Sequence, residues 1–148
     1  MSAPTADELA AAYAGRRVLV TGHTGFKGAW LTLWLAPQAA EVTAHALARK
    51  DPRGLFAAPA VSTRSPHHEG DVRDLAALRE VLAAAPPTIV FHLATQALVR
   101  RSYQAPLETL ETNVMGTANL LEALRLARRP CVVLIVSSGK CYVRREWG

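Results

Sequence analysis

The sequence predicts an α/β fold, a Rossmann-like doubly wound parallel sheet with helices on both faces, on three observations. Short aliphatic and β-branched runs alternate along the 148 residues with stretches of helical apolar spacing. Those runs are apolar at nearly every position, as strands buried on both faces must be. The first run passes directly into glycines spaced G-x-x-G-x-x-G at the head of a helix.

Each element follows in order. Residues 1–16 are alanine-rich and read as a short helix or a frayed tail ahead of the dinucleotide-binding domain, 17–148. Arg17–Thr21 is the first strand, and Phe26–Leu35 is a helix ended by Pro37. Glu41–Leu47 is the second strand, and Ala48–Ser65 reads as irregular. His67–Glu69 is a short third strand. Leu75–Ala85 is a helix, with Leu75, Leu78, Val81 and Leu82 at helical spacing. Thr88–Leu93 is a buried fourth strand. Pro106–Ala127 is a long helix with Leu107, Leu110, Val114, Leu120, Leu121 and Leu124 on its apolar side. Val132–Val136 is the fifth strand, truncating the sheet after five, in the order 3-2-1-4-5.

Composition narrows the function classes. The chain is 50% hydrophobic and 20% charged, as a soluble globular domain is. No apolar run reaches the ~20 residues of a membrane span, and no basic segment precedes an apolar leader. A cytoplasmic location is the expectation, with no membrane partner. Cys131 and Cys141 have no metal-ligand spacing, so free thiols and no metal are expected. The net charge of +5 is scattered in pairs such as Arg16-Arg17, Arg100-Arg101 and Arg128-Arg129. Without interleaved aromatic residues this pattern does not favour nucleic acid, and it suits an anionic small molecule as well.

The glycine turn carries the first candidate site: Gly22, Thr24, Gly25, Phe26, Lys27 and Gly28. Gly22 permits the sharp exit from the strand, Gly25 leaves room for a phosphate, and Gly28 lets the helix pack close on the sheet. A pyrophosphate there faces backbone N–H groups and the positive end of the helix. Ligands of such sheets lie beyond the carboxyl ends of the strands. After the third strand stand Asp71 and Val72. Asp71 suits an adenine amino group; equally, Asp71 or Asp74 caps the helix beginning at Leu75. After the fourth, Leu93, Ala94, Thr95 and Gln96 are placed to line a nicotinamide ribose. His92 lies within the strand and reads as a buried structural histidine rather than a base. After the fifth, Ser137, Ser138, Gly139, Lys140, Cys141 and Tyr142 form either a polar turn or a hydroxyl and an ammonium that polarise a substrate oxygen. No carboxylate ends the second strand, and Arg49 suits a 2′-phosphate, so the residues leave NAD and NADP open.

These strand-end motifs together resemble the CDP-glucose 4,6-dehydratases, a family of extended short-chain dehydrogenases/reductases. Val18–Gly28 with Ala29-Trp30-Leu31 resembles V-T-G-H-T-G-F-K-G-S-W-L, and His92–Tyr103 resembles H-L-A-A-Q-A-L-V-R-R-S-Y with one change at Thr95. Thr112–Thr117 resembles T-N-V-M-G-T, and Lys140-Cys141-Tyr142 with Arg145-Glu146-Trp147 resembles K-C-Y…R-E-W. The resemblance implies NAD as cofactor and CDP-glucose as substrate, in an enzyme that is a homo-oligomer when complete. The implied reaction oxidises C4 of the hexose, loses water across C5 and C6, and reduces C6. It implies that Ser138 hydrogen-bonds the C4 oxygen, Lys140 is the base at C5, and Asn113 helps organise a proton relay.

Two departures stand out. The family has Asp between the hydroxyl residue and the lysine, where this chain has Gly139, and glycine cannot transfer a proton. No Tyr-x-x-x-Lys pair is present. The chain therefore reads as the N-terminal cofactor part of a longer enzyme, inactive by itself. The alternatives are a non-catalytic NAD(H)-binding module and an inactive truncated product.

Overall fold

The computed structural model describes residues 3–38, 40–48 and 66–137. Within them the chain runs α1 (Ala6–Tyr13), β1 (Arg17–Thr21), α2 (Phe26–Leu35), a 3₁₀ turn (Ala36–Gln38), β2 (Glu41–Ala46) and β3 (His67–Glu69). There follow α3 (Leu75–Ala84), β4 (Ile89–His92), α4 (Val99–Gln104) and α5 (Pro106–Leu110). A π-helical turn (Glu111–Met115), α6 (Gly116–Ala127) and β5 (Val132–Ile135) complete it. The sheet order is β3-β2-β1-β4-β5, and every neighbouring pair is parallel. This is the doubly wound, Rossmann-like order read from the strand–helix alternation. Of the expected irregular segment, all but Ala48 lies outside the described residues.

β1 is central because its side chains serve both faces in turn. Leu19 joins Val72, Leu78, Val81, Leu82, Val90, Leu120 and Ala123 under α3 and α6. Val18 and Val20 join Leu35 and Val42 on the opposite face, with Tyr13, Leu31 and Phe91 packed around them. Tyr13 is how α1 attaches: its ring meets Trp34 edge-on at 5.5 Å and lies 6.4 Å from Phe91. At the other end of α1, Thr5 and Glu8 form a reciprocal capping box. Residues 1–16 thus contain a docked helix, the first of the two readings of that segment. No helix among the described residues is long and apolar enough to cross a membrane.

The helix expected over Pro106–Ala127 is not one uniform element. The π-helical turn Glu111–Met115 divides it, and its apolar residues do not share one side. Leu120 is completely buried, whereas Leu107, Leu110, Val114 and Leu121 are 73%, 57%, 56% and 44% exposed. At about 100° per residue, those four form a stripe beside Leu120 rather than on it. The sheet covers one stripe only. β5 is also open: Val132 is 67% exposed, and among the described residues β5 is an edge strand.

Leu120→Ala should lower stability by about 2–5 kcal/mol in urea unfolding, through lost burial and a cavity. Leu107→Ala should change it by less than about 0.5 kcal/mol. Equal losses would mean that both stripes are buried.

Candidate functional site

The three glycines of the turn do different work. Gly22 has φ +75, and a Cβ on it would lie 2.6 Å from the backbone N of Ala94. It therefore serves the sharp exit from β1, and also a contact with the start of the β4–α4 loop. Its N–H donates to the carbonyl of His45 at 2.8 Å. A Cβ on Gly28 would collide with Gly22 O and stand 2.6 Å from His23 Cα. Gly28 thus seats α2 on the turn itself, not on the sheet as the spacing led one to expect. Gly25 meets a milder demand: φ is −78, and a Cβ there would meet only Gly22 O, tightly at 3.3 Å. Gly25 is the N-cap of α2, which has no side-chain cap and no acidic residue in its first turn. The first N–H groups of α2 therefore face outward beside exposed Gly25, Phe26 and Lys27, with half-buried Thr24 next to them.

Behind the turn lie histidines to which the sequence reading assigned no part. His23 is 1% exposed and meets the ring of His67 edge-on at 4.7 Å. Burial, then the charge of His67, push its pKa down to about 4. His45, at the end of β2, is buried as well, and desolvation lowers its pKa. The available signal is a histidine at or within two residues of the carboxyl end of each of β1 to β4.

His92 is the structural histidine expected. It is 2% exposed, with Nδ1 2.7 Å from Thr21 Oγ1 and Nε2 3.0 Å from Thr117 Oγ1. The Thr117 hydroxyl donates to Asn113 O at 2.9 Å, so it accepts from Nε2–H, leaving Nδ1 to accept from Thr21. Burial lowers the His92 pKa and keeps the ring neutral.

After β3 the two acidic residues separate. Asp74 is the cap of α3, its Oδ1 accepting from Ala76 N at 2.9 Å and Ala77 N at 3.1 Å. Asp71 instead holds Arg73, whose Nη2 is 2.6 Å from Asp71 Oδ2. The guanidinium keeps the Asp71 carboxyl below its ordinary value. Val72 is buried, and its Cγ2 would lie 2.6 Å from a Cβ on Gly116. Asn119 Nδ2 donates to the carbonyls of Arg73 at 2.8 Å and Val72 at 3.3 Å.

After β4, Asn113 grips the loop. Its Oδ1 accepts from Thr95 Oγ1 at 2.9 Å and Gln96 N at 2.7 Å, while Nδ2 donates to Gln96 O at 3.1 Å. Gln96 Nε2 in turn donates to Thr109 Oγ1 at 3.0 Å, and Gln96 Oε1 accepts from Leu98 N at 2.6 Å. Leu93 and Ala94 are half-buried against Gly22. The structure therefore brings the glycine turn, Asp71 and residues 93–96 to one edge of the sheet, with Asn113 and Asn119 as clamps behind them. Ser138, Gly139, Lys140, Cys141, Tyr142 and Arg49 lie outside the described residues. Among the described residues no three His, Cys, Asp or Glu side chains are arranged to hold a metal ion.

Histidines held neutral give the fold an acid limit. Unfolded, His23 binds a proton below its ordinary value of 6.5; folded, it does so only near about 4. Its contribution to stability is therefore complete above 6.5 and is lost as pH falls toward 4. The urea midpoint should drop between pH 7.5 and pH 5, and His23→Gln should flatten that slope. A slope untouched by the substitution would exclude His23 as its source.

The comparisons with known proteins follow this geometry. The family model described as GDP-mannose 4,6 dehydratase matches residues 19–145. The chain is 47% identical over 133 residues to the CDP-glucose 4,6-dehydratase of Salmonella typhimurium, covering 90% of this chain and 37% of the relative. It is 34% identical to a GDP-mannose 4,6-dehydratase of Vibrio cholerae, over 72% of this chain and 30% of that protein. The chain thus spans about a third of the length of these curated relatives. Among solved structures, the UDP-glucose 4-epimerase of Thermus thermophilus in complex with NAD superposes with a TM-score of 0.66 at 33% identity. That match covers 75% of this chain and 34% of the epimerase. The UDP-glucose 4-epimerase of Stenotrophomonas maltophila shares the fold, with a TM-score of 0.78 at 22% identity over 89% of this chain and 40% of that one. With the family model spanning nearly all of β1 through β5 and the segment beyond, the chain belongs to the GDP-mannose 4,6-dehydratase family.

Proposed function

We propose that residues 17–148 form the NAD-binding part of a CDP-glucose 4,6-dehydratase, acting in the cytoplasm. Gly25 carries this reading. The backbone conformation does not require glycine there and a Cβ would meet one atom tightly, Gly22 O at 3.3 Å, while a side chain would cover the uncapped start of α2. An anion on those N–H groups supplies a further reason for glycine. The identity to the Salmonella CDP-glucose 4,6-dehydratase supports the nucleotide sugar, and the epimerases solved with NAD support that cofactor over NADP.

The residues present fit the group. Gly22, Thr24, Gly25, Phe26, Lys27 and Gly28 hold the pyrophosphate at the α2 N-terminus. Asp71 and Val72 receive the adenine, and Leu93, Ala94, Thr95 and Gln96 line the nicotinamide ribose. Bound there, NAD would supply the redox chemistry of the reaction. Ser138 hydrogen-bonds the C4 oxygen, and Lys140 is the base at C5. Asn113 serves the proton relay by fixing the Thr95 hydroxyl and the Gln96 backbone, both of which its side chain grips in the structure.

The exposed stripe Leu107, Leu110, Val114 and Leu121 is assigned to a second copy of the chain. Its spacing of three, four and seven residues suits a helix-to-helix seam. Val114→Asp should turn a dimer into a monomer in sedimentation; a monomeric parent chain would overturn the assignment.

Titration of the 148-residue chain with NAD and NADP tests the function. NAD should bind more tightly, and Gly25→Val should abolish binding while leaving the fold, read by circular dichroism, largely intact. Unchanged affinity in the folded variant would reduce the glycines to turn formers. Tighter NADP binding, lost on Arg49→Ala, would overturn the choice of cofactor. Mixed with CDP-glucose, these 148 residues should form no product, since they contain no Tyr-x-x-x-Lys and have glycine at 139. Product formation would contradict the roles assigned.

A further inference from the structure

Arg73 gives the Asp71 carboxylate a single arrangement. Two guanidinium donors converge on one oxygen, Nη2 at 2.6 Å and Nε at 2.9 Å from Oδ2. The backbone N–H of Arg73 donates to the other oxygen, Oδ1, at 2.9 Å. The guanidinium's Nη1 lies 3.3 Å from Glu111 Oε2, at the head of the π-helical turn. The backbone on either side is fixed too, because Asn119 Nδ2 takes the carbonyls of Val72 and Arg73. Oδ2 thus carries two donors and Oδ1 one, so Oδ1 keeps the open lone-pair position.

An ionised carboxylate held in this way accepts and cannot donate. It attracts the 6-amino group of a purine and repels a 6-oxo group. We infer that Arg73 is a positioning residue that makes Asp71 select a dinucleotide bearing a 6-amino purine over one bearing a 6-oxo purine. This rests on the proposed NAD site. Arg73 acts through Asp71 and need not touch the ligand. Its neighbours are consistent with that: Asp71, Asp74, Leu75, Ala76 and Glu111 surround it in an open depression at this corner of the sheet. Its ion pairs are partly exposed, with 38% of the Arg73 side chain and 23% of the Asp71 side chain accessible. Pairs of that kind add little to stability, so a substitution is read in recognition rather than in folding.

The test compares two dinucleotides on the full 148-residue chain by calorimetric titration: NAD, and nicotinamide hypoxanthine dinucleotide, which has oxygen in place of the amino group. The unmodified chain should prefer NAD by roughly tenfold to a hundredfold, the range of one charge-assisted hydrogen bond. Arg73→Gln should bring the two affinities within about threefold, by weakening NAD binding and sparing the hypoxanthine analogue. Arg73→Lys, which keeps the charge and loses the fork, should fall between, and it carries the same comparison if the glutamine variant does not fold. An undiminished preference in both variants would overturn the inference. So would an equal loss of both dinucleotides, which is what a purely structural arginine predicts. If the unmodified chain binds neither dinucleotide, the NAD reading itself falls.

Discussion

The architecture depends on one crowded point, where three stretches of backbone meet at the carboxyl end of β1. Gly22 turns the chain out of the strand with its α-carbon against Leu93 and Ala94, and Gly28 lays the first turn of α2 on Gly22 and His23. No side chain fits at either glycine. Because β1 is the middle strand, this point joins both halves of the sheet. It also leaves the start of α2 open at Gly25, the glycine of the turn on which the protein's own packing presses least. A close-packed turn and an open helix end, side by side, would suit the anion that the proposed function places there.

A second organising element is the helical segment running from the π-helical turn into α6. Asn113 holds the loop after β4, Thr117 holds His92 within β4, and Gly116 and Asn119 hold the loop after β3. One stretch of chain therefore fixes both loops that the proposed cofactor would touch at its two ends. A π turn carries an extra residue in its hydrogen-bonded ring, so it re-aims the side chains on either side of it. The same segment shows an apolar stripe outward, which the sheet leaves uncovered.

Much of this was legible in the residues. The continuous apolar strands gave the parallel sheet and its order, and the glycine spacing marked the turn, because both follow from local periodicity and backbone sterics. His92 read as structural because it interrupts a buried strand. Other features depend on tertiary partners that local spacing does not encode. The choice of Asp74 over Asp71 as the α3 cap turned on Arg73 drawing the Asp71 carboxylate away. Gly28 was assigned to the sheet because a spacing names the need for close approach without naming the partner. The apolar side of Pro106–Ala127 was taken as one face, although the angular positions of Leu107 and Leu120 already separate them. The π turn carries no periodic signature of its own. His23 signals itself only by its place beyond β1; its burial, with the ring of His67 from β3 against it, depends on tertiary contacts that local spacing does not encode.

The central claim is that an uncapped helix start beside Gly25 receives the pyrophosphate of NAD, with both clamped loops in contact. Amide chemical-shift mapping of the isotope-labelled chain during NAD titration tests it most directly. The account predicts the largest shifts at residues 22–28, with further shifts at 71–72 and 93–96, while the opposite surface between α3 and α6 stays still. Shifts concentrated on that surface, around Arg79 and Arg129, or no saturable shifts at the glycine turn, would contradict it.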